Sequence, residues 1–361
     1  MGPTGRSQMR AAVLYKARDL RVEEVPRPNI LPDEVLVRIR AVGVCGSDLH
    51  LYEDGCIGTT LMEGPFILGH EATGDVVEIG SAVSKFKAGD RVALESSVPC
   101  RACDFCKRGE QNLCPYRHGH GIPNIIPDRS GPNVDGFYAE YGSQSQDYVH
   151  LLPDGIDYVE GTMCDPMSCG LQAASEVSIE PGQSVAVIGA GAIGLSALQA
   201  AVVRGVSKAI AVDTFDRHLE VARELGATHL VNASRVPSVV DEVVRLAGGF
   251  GPDVVIEAVG LPVTMQQSVD AVRRGGSVVL MGVSSQPLVP LDVVKITRSR
   301  LKVSGCFAYV NHFPTVLSLA AAGKINLKAA ITNTFPLSEA PAALEFASKR
   351  KDVAIKCVLT M

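Results

Sequence analysis

The chain has 361 residues, with 34 lysines and arginines against 39 aspartates and glutamates, for a formal charge of −5. That length accommodates two domains with cores of their own, and the absence of a basic stripe argues against nucleic acid as a partner. No apolar run reaches the roughly 18 residues of a membrane span, and the polar start Met1-Gly-Pro-Thr-Gly-Arg-Ser-Gln8 lacks the apolar centre of a secretory signal, so a cytoplasmic location is expected.

In chain order, residues 11–44 alternate apolar runs with charge and with breaks at Pro26, Pro28 and Pro32, a period-2 pattern that predicts antiparallel strands. Directly after them stands Val44-Cys45-Gly46-Ser47-Asp48-Leu49-His50, followed later by Gly69-His70-Glu71-Ala72-Thr73-Gly74. A thiolate, an imidazole and a carboxylate suit zinc, which takes sulfur, nitrogen and oxygen ligands in tetrahedral sets. Taken singly, Cys45 reads more readily as a core thiol than as a ligand, and His70 as a hydrogen-bonded histidine.

Next, Cys100-x2-Cys103-x2-Cys106-x7-Cys114 places four of the ten cysteines in one short loop. The spacing lets a single loop wrap an ion in an all-thiolate shell, which closes coordination and marks a structural metal site. Disulfides are the alternative, disfavoured by a reducing compartment. Cys56, Cys169, Cys306 and Cys357 read as small buried hydrophobes. Residues 116–150 are rich in Gly, Pro, Asn and Asp and contain Gly136-Phe-Tyr-Ala-Glu-Tyr141.

The second half changes character. Ser184-Val-Ala-Val-Ile-Gly-Ala-Gly-Ala-Ile-Gly194 is an apolar β-branched run, a glycine turn and a helix start. In a dinucleotide site Gly189 permits the turn, Gly191 lets a pyrophosphate approach the backbone, and Gly194 allows close packing of helix on strand. A strand ending at Asp213 follows, and a carboxylate there accepts hydrogen bonds from the ribose of NAD and repels the extra phosphate of NADP. Gly189, Gly191, Ala192, Ile193, Gly194, Asp213 and Arg217 are therefore the candidate coenzyme contacts. Strand-like and helical patterns alternate through 185–201, 209–213 with 217–225, 229–231, 240–247, 254–259 and 277–282, with a last strand at 302–307. Six nearly continuous apolar strands predict a parallel sheet covered on both faces, a doubly wound α/β fold.

Gly-His-Glu, Cys-Gly-Ser-Asp-x-His, the four-cysteine loop and a later Gly-x-Gly-x-x-Gly, in that order, resemble the zinc-dependent medium-chain dehydrogenase/reductase family, nearest its sorbitol and secondary-alcohol branch. The resemblance implies a discontinuous GroES-like β-rich catalytic domain (1–169 and 311–361) and a Rossmann coenzyme domain (170–310), with the site between them. It implies NAD and two zinc ions per chain, one structural on Cys100, Cys103, Cys106 and Cys114, and one catalytic on Cys45 and His70. Glu71 and Asp165 compete for the remaining protein position, because Asp165-Pro-Met-Ser-Cys169 stands where the branch has Glu-Pro-Leu-Ser-Val; Cys164 is a further candidate. Asp48 would hold the histidine ligand, and Ser47 and His50 would relay the proton, a path that suits a hydroxyl and an imidazole. A homodimer or homotetramer is expected.

The implied reaction is hydride transfer between NAD and a carbon bearing oxygen. Two departures bear on substrate: Phe307-Ala308-Tyr309 replaces the branch's Phe-Arg-Tyr, and Leu51 replaces a tyrosine after the relay histidine. A pocket short of donors discriminates against hydroxyl-rich ligands, which favours a less polar secondary alcohol, cyclic ones included, and its ketone over a polyol or cyclitol. A zinc-free quinone reductase or structural relative is the reading from a different class.

Overall fold

The structure is a computed structural model that describes residues 7–123 and 134–361. The first residues of the polar start and the middle of the glycine- and proline-rich 116–150 stretch lie outside the described residues. The chain divides into one unit formed by Met1–Asp165 with Ile331–Met361 and a second formed by Pro166–Ala330.

In the first unit the strand Glu34–Val44 is the hub. Its alternating Val35, Val37 and Ile39 are fully buried, which fixes its register, since a slip of one residue would turn them outward. It pairs antiparallel with Glu71–Ile79, Tyr141–Ser145 and Lys356–Thr360 inside a 7-stranded sheet. Two register pairs decide the chemistry: Gly43 lies opposite Glu71, and Val44 lies opposite Cys357. The sheet thus delivers His70, Glu71 and Lys356 to the end of the strand that runs into Cys45. A second sheet, in which Gln8–Lys16 pairs with Asp19–Pro26 and Phe66–Ile67, fulfils the expectation of antiparallel strands. Leu14, Leu51, Phe137 and Tyr138 fill the apolar interior of this unit.

The second unit is a six-stranded, wholly parallel sheet. Its spatial order is His229–Asn232, Lys208–Asp213, Ser184–Ile188, Val254–Glu257, Ser277–Leu280, Lys302–Gly305. This is the doubly wound order, whose reversal beside the first strand is where dinucleotides bind. Every residue of Ser184–Ile188 is buried, as befits a central strand covered on both faces. The last strand ends at Gly305, short of the expected 307.

Both unit boundaries differ from the expected ones. The first falls at Asp165, inside the helix Cys164–Glu176, rather than at 169. The second falls at Ala330 rather than 310, because the intervening segment is tied into the second unit. Val310 N–H donates to Gln172 Oε1 (3.2 Å), Asn326 N–H donates to Gln199 Oε1 (2.8 Å), and Gln199 Nε2 donates back to Asn326 O (3.2 Å). No helix among the described residues is long and apolar enough to cross a membrane.

Candidate active site

Cys45 is the N-cap of the helix Gly46–Asp54. Cys45, His70 and Glu71 each present one ligand atom, all within 4.8 Å of one another. The set is sulfur, nitrogen and oxygen, as zinc prefers. Asp165 lies in the first turn of its helix and does not join that group, nor does Cys164, whose thiol is driven up by burial. Of the two competitors for the third position, the fold brings Glu71 to the cysteine and histidine.

Fully buried Asp48 supports the site. Its Oδ2 accepts from Cys45 N–H (2.9 Å) and from Tyr138 O–H (2.9 Å). Its Oδ1 faces His70 Nδ1 at 3.5 Å, and both atoms are buried without a hydrogen-bond partner among the described residues. Burial opposes charging His70, yet the Asp48 carboxylate and the Cys45 thiol together hold its pKa well above the ordinary value. The same negative field favours a divalent cation, and an imidazole bound through Nε2 would turn its Nδ1–H toward Asp48 Oδ1. The orphaned pair of atoms fits a metal on this histidine.

Glu71 is already engaged. Buried Lys356 donates to both of its carboxylate oxygens (2.8 and 2.6 Å) and to Val44 O (3.1 Å). Burial works against the ammonium, but Glu71 raises its pKa above the ordinary lysine value. A Cβ on Gly43 would lie 2.0 Å from Glu71 Oε2, so a larger residue there would displace the carboxylate. A metal drawing on Glu71 would therefore compete with Lys356 for the carboxylate.

Ser47 Oγ is buried with no hydrogen-bond partner among the described residues. His50, three residues on and so on the same helix face, has a side chain 44% exposed, with Nδ1 3.9 Å from Asp54 Oδ2. One end of the expected relay is thus interior and the other reaches water. Leu51, in contrast, is fully buried in the apolar core. Its replacement of a tyrosine therefore alters packing within the unit and is no guide to the substrate.

The four-cysteine loop closes as its spacing predicts. Sγ–Sγ separations are 3.5 Å (Cys103–Cys106), 3.8 Å (Cys103–Cys114) and 4.0 Å (Cys100–Cys106). A tetrahedron with zinc–sulfur arms of 2.3 Å has edges of about 3.8 Å, so the thiols stand where such an ion needs them. Backbone N–H groups of Ala102 and Cys103 lower the Cys100 pKa to about 6, while burial pushes Cys106 up to about 12.

In the second unit Gly189 adopts φ +96°, a conformation that favours glycine. A Cβ on Gly194 would fall 1.8 Å from Gly189 O, whereas Gly191 has open space around it. Gly191 caps the helix Ala192–Val203, whose first-turn N–H groups at Ala192, Ile193 and Gly194 lack intrahelical partners. The turn has the shape of a pyrophosphate cradle. Asp213 Oδ2 accepts from Ala190 N–H (2.7 Å) and Oδ1 from Phe215 N–H (3.0 Å). Burial tends to raise its pKa, but these bonds and His218 bring it below the usual carboxylate range. Arg217 lies exposed, 3.4 Å from Glu220; the side chain facing Asp213 is His218, with Nδ1 3.4 Å from Oδ2.

Three contributors escaped the sequence reading. His218 had a signal, since it shares the buried helix face with Leu219, Val221 and Ala222. Lys356 and Tyr138 had none that was local.

The sequence matches the zinc-binding dehydrogenase family over residues 192–322 and the alcohol dehydrogenase GroES-like domain over residues 31–154. It is 37% identical over 351 residues to a sorbitol dehydrogenase of Bacillus subtilis (strain 168), covering 97% of each chain. It is 36% identical over 360 residues to a sorbitol dehydrogenase of Gallus gallus, covering 99% of this chain and 98% of that one. Among solved structures, a zinc-binding dehydrogenase from Sinorhizobium meliloti 1021 bound to NADP superposes with a TM-score of 0.88 at 31% identity, over 99% of this chain and 100% of that one. With a GroES-like β unit carrying the Cys–His–Glu group and a doubly wound unit carrying the glycine turn, this chain belongs to the zinc-dependent medium-chain alcohol dehydrogenase family, in its sorbitol-dehydrogenase-like branch.

Proposed function

We propose that the protein oxidises a secondary alcohol to the ketone with NAD, and reduces the ketone in reverse. The observation that carries this reading is the pairing in one chain of an S/N/O ligand group beside a partnerless buried hydroxyl with a glycine turn closed by Asp213. When bound, zinc supplies a Lewis acid for the substrate oxygen and the dinucleotide supplies the hydride acceptor. Cys45 and His70 would hold the ion, with Glu71 drawn on by both the ion and Lys356. Ser47 Oγ would accept the substrate's hydroxyl proton as its own hydroxyl hydrogen is passed along the relay, and His50, charged by the relayed proton, would release one to water. Asp213 accepts from the ribose hydroxyls and disfavours a 2′-phosphate, so NAD is the coenzyme here although the Sinorhizobium relative holds NADP. Two zinc ions per chain are expected, one in the ligand group and one in the thiol loop; a count of one would mean that only the thiol loop is filled, and a count of none would favour the zinc-free class.

Ala308 in place of an arginine supports a substrate with few hydroxyls, such as a cyclic alcohol. The similarity to sorbitol dehydrogenases over nearly the whole chain supports a polyol as the second reading. A panel of cyclohexanol-like alcohols, sorbitol and xylitol, each with NAD⁺ and NADP⁺ and followed by the absorbance of the reduced coenzyme, decides. Preference for sorbitol or xylitol selects the polyol, and no turnover of any secondary alcohol defeats both. The ten free thiols suit a reducing, cytoplasmic setting. A homodimer or homotetramer is supported by the sheet edge Lys302–Gly305, which pairs on one side only among the described strands and lies near exposed Leu288, Val293 and Val294 in sequence. Light scattering in solution tests it.

A further inference from the structure

We propose that Tyr138 is a positioning residue for the metal ligand His70: its hydroxyl fixes one oxygen of Asp48, so that the other is reserved for the imidazole. The inference rests on the reading of Cys45, His70 and Glu71 as a metal centre.

The two oxygens of Asp48 have divided work. Oδ2 receives two donors, Cys45 N–H and Tyr138 O–H, each at 2.9 Å. Oδ1 has no hydrogen bond among the described residues and lies 3.5 Å from His70 Nδ1. With the hydroxyl removed, a single backbone N–H would hold the carboxylate, free to pivot about that one bond. With it in place, the plane of the carboxylate is set by two donors from different parts of the chain.

The tyrosine is itself tightly placed. Tyr138 N–H donates to Leu68 O (2.9 Å) and Phe137 N–H donates to Gly69 O (2.8 Å), so its backbone is laced to the two residues that precede His70. Its ring occupies the space over Gly69, where a Cβ would come within 2.2 Å of a ring carbon. Tyr138 therefore ties the segment carrying His70 to the helix start carrying Cys45 and Asp48. Groups that orient a ligand from behind are worth about 10- to 100-fold in metal affinity, and sites are precise only when such groups are locked by packing.

The test is Tyr138→Phe, which removes the hydroxyl and keeps the ring over Gly69. Zinc affinity is read by competition with a chromophoric chelator, and ligand geometry by the visible spectrum of the Co²⁺-substituted chain. The four-thiol loop serves as an internal reference, and the thermal midpoint reports folding. The expected result is about tenfold weaker binding at the Cys–His–Glu group, an altered Co²⁺ spectrum there, and an unchanged thiol loop. Asp48→Asn is expected to weaken the same site at least as much, and Tyr138→Phe added to Asp48→Asn to have no further effect. A structural role in packing alone would make the two losses additive. Wild-type uptake of two ions with undiminished affinity in Tyr138→Phe, or additive losses in the double variant, overturns the role of Tyr138 alone. Uptake of a single ion by the wild-type chain, in the thiol loop, overturns the metal centre and this inference together.

Discussion

The two cysteine-containing groups of the first unit are built in opposite ways. In the thiol loop all four donors come from one short segment, and their separations already match the edges of a zinc–thiolate tetrahedron. In the Cys–His–Glu group the donors come from a helix N-cap and a strand start, and Glu71 is held by a lysine 285 residues away in sequence. A closed shell of like ligands stabilises; a mixed set with one ligand held in reserve leaves room for a substrate. The difference teaches that chemistry belongs to the group whose geometry depends on the whole sheet.

That contrast can be broken at several points. Cys103→Ser removes one wall of the closed shell and forfeits much of a metal-binding free energy on the order of 10 kcal/mol; zinc content falls by one ion per chain and the thermal midpoint drops steeply. A chain that keeps its midpoint would show the loop to be dispensable for folding. His70→Ala leaves the loop intact and is expected to lower kcat/KM by about 10⁴, equivalent to some 5 kcal/mol, with little change in the midpoint. Lys356→Met strands the buried Glu71 carboxylate and costs about 3–5 kcal/mol of stability in denaturant unfolding. Pairing it with Glu71→Gln recovers most of that loss, and no recovery would deny the ion pair its role.

Two smaller effects extend the contrast to the glycine turn. Asp213→Ser is expected to shift the ratio of kcat/KM for NADP⁺ over NAD⁺ upward by about tenfold or more, because a like charge a few ångströms from a phosphate costs over 1 kcal/mol. Arg217→Ala, exposed beside Glu220, is expected to change the KM for NAD⁺ by no more than about twofold. A larger effect would restore it as a coenzyme contact.

What the sequence disclosed follows the same division. The thiol loop and the glycine turn were readable because their working atoms sit within a few residues of one another, so spacing is geometry. The parallel sheet was readable because its central strands, such as Ser184–Ile188, are nearly continuous apolar runs buried on both faces. Glu71 as the partner of Cys45 and His70 was one of three possibilities, and the register Gly43 opposite Glu71 brings it to those two residues. Tyr138 meets Asp48 across 90 residues and Lys356 meets Glu71 across 285, separations over which no local pattern carries information. Arg217 lies exposed beside Glu220, whereas its neighbour His218 faces Asp213. The buried face of Asp216–Glu224 runs through His218, Leu219, Val221 and Ala222, and following that periodicity would have pointed to the histidine.

The central strand Glu34–Val44 takes one of its neighbours from Lys356–Thr360, with the whole of the second unit intervening in the chain. During synthesis on the ribosome the sheet therefore keeps a vacant flank, and Glu71 lacks its counter-charge, until that last strand emerges. The Cys–His–Glu group thus reaches its full set of contacts only once Lys356–Thr360 has paired with the central strand.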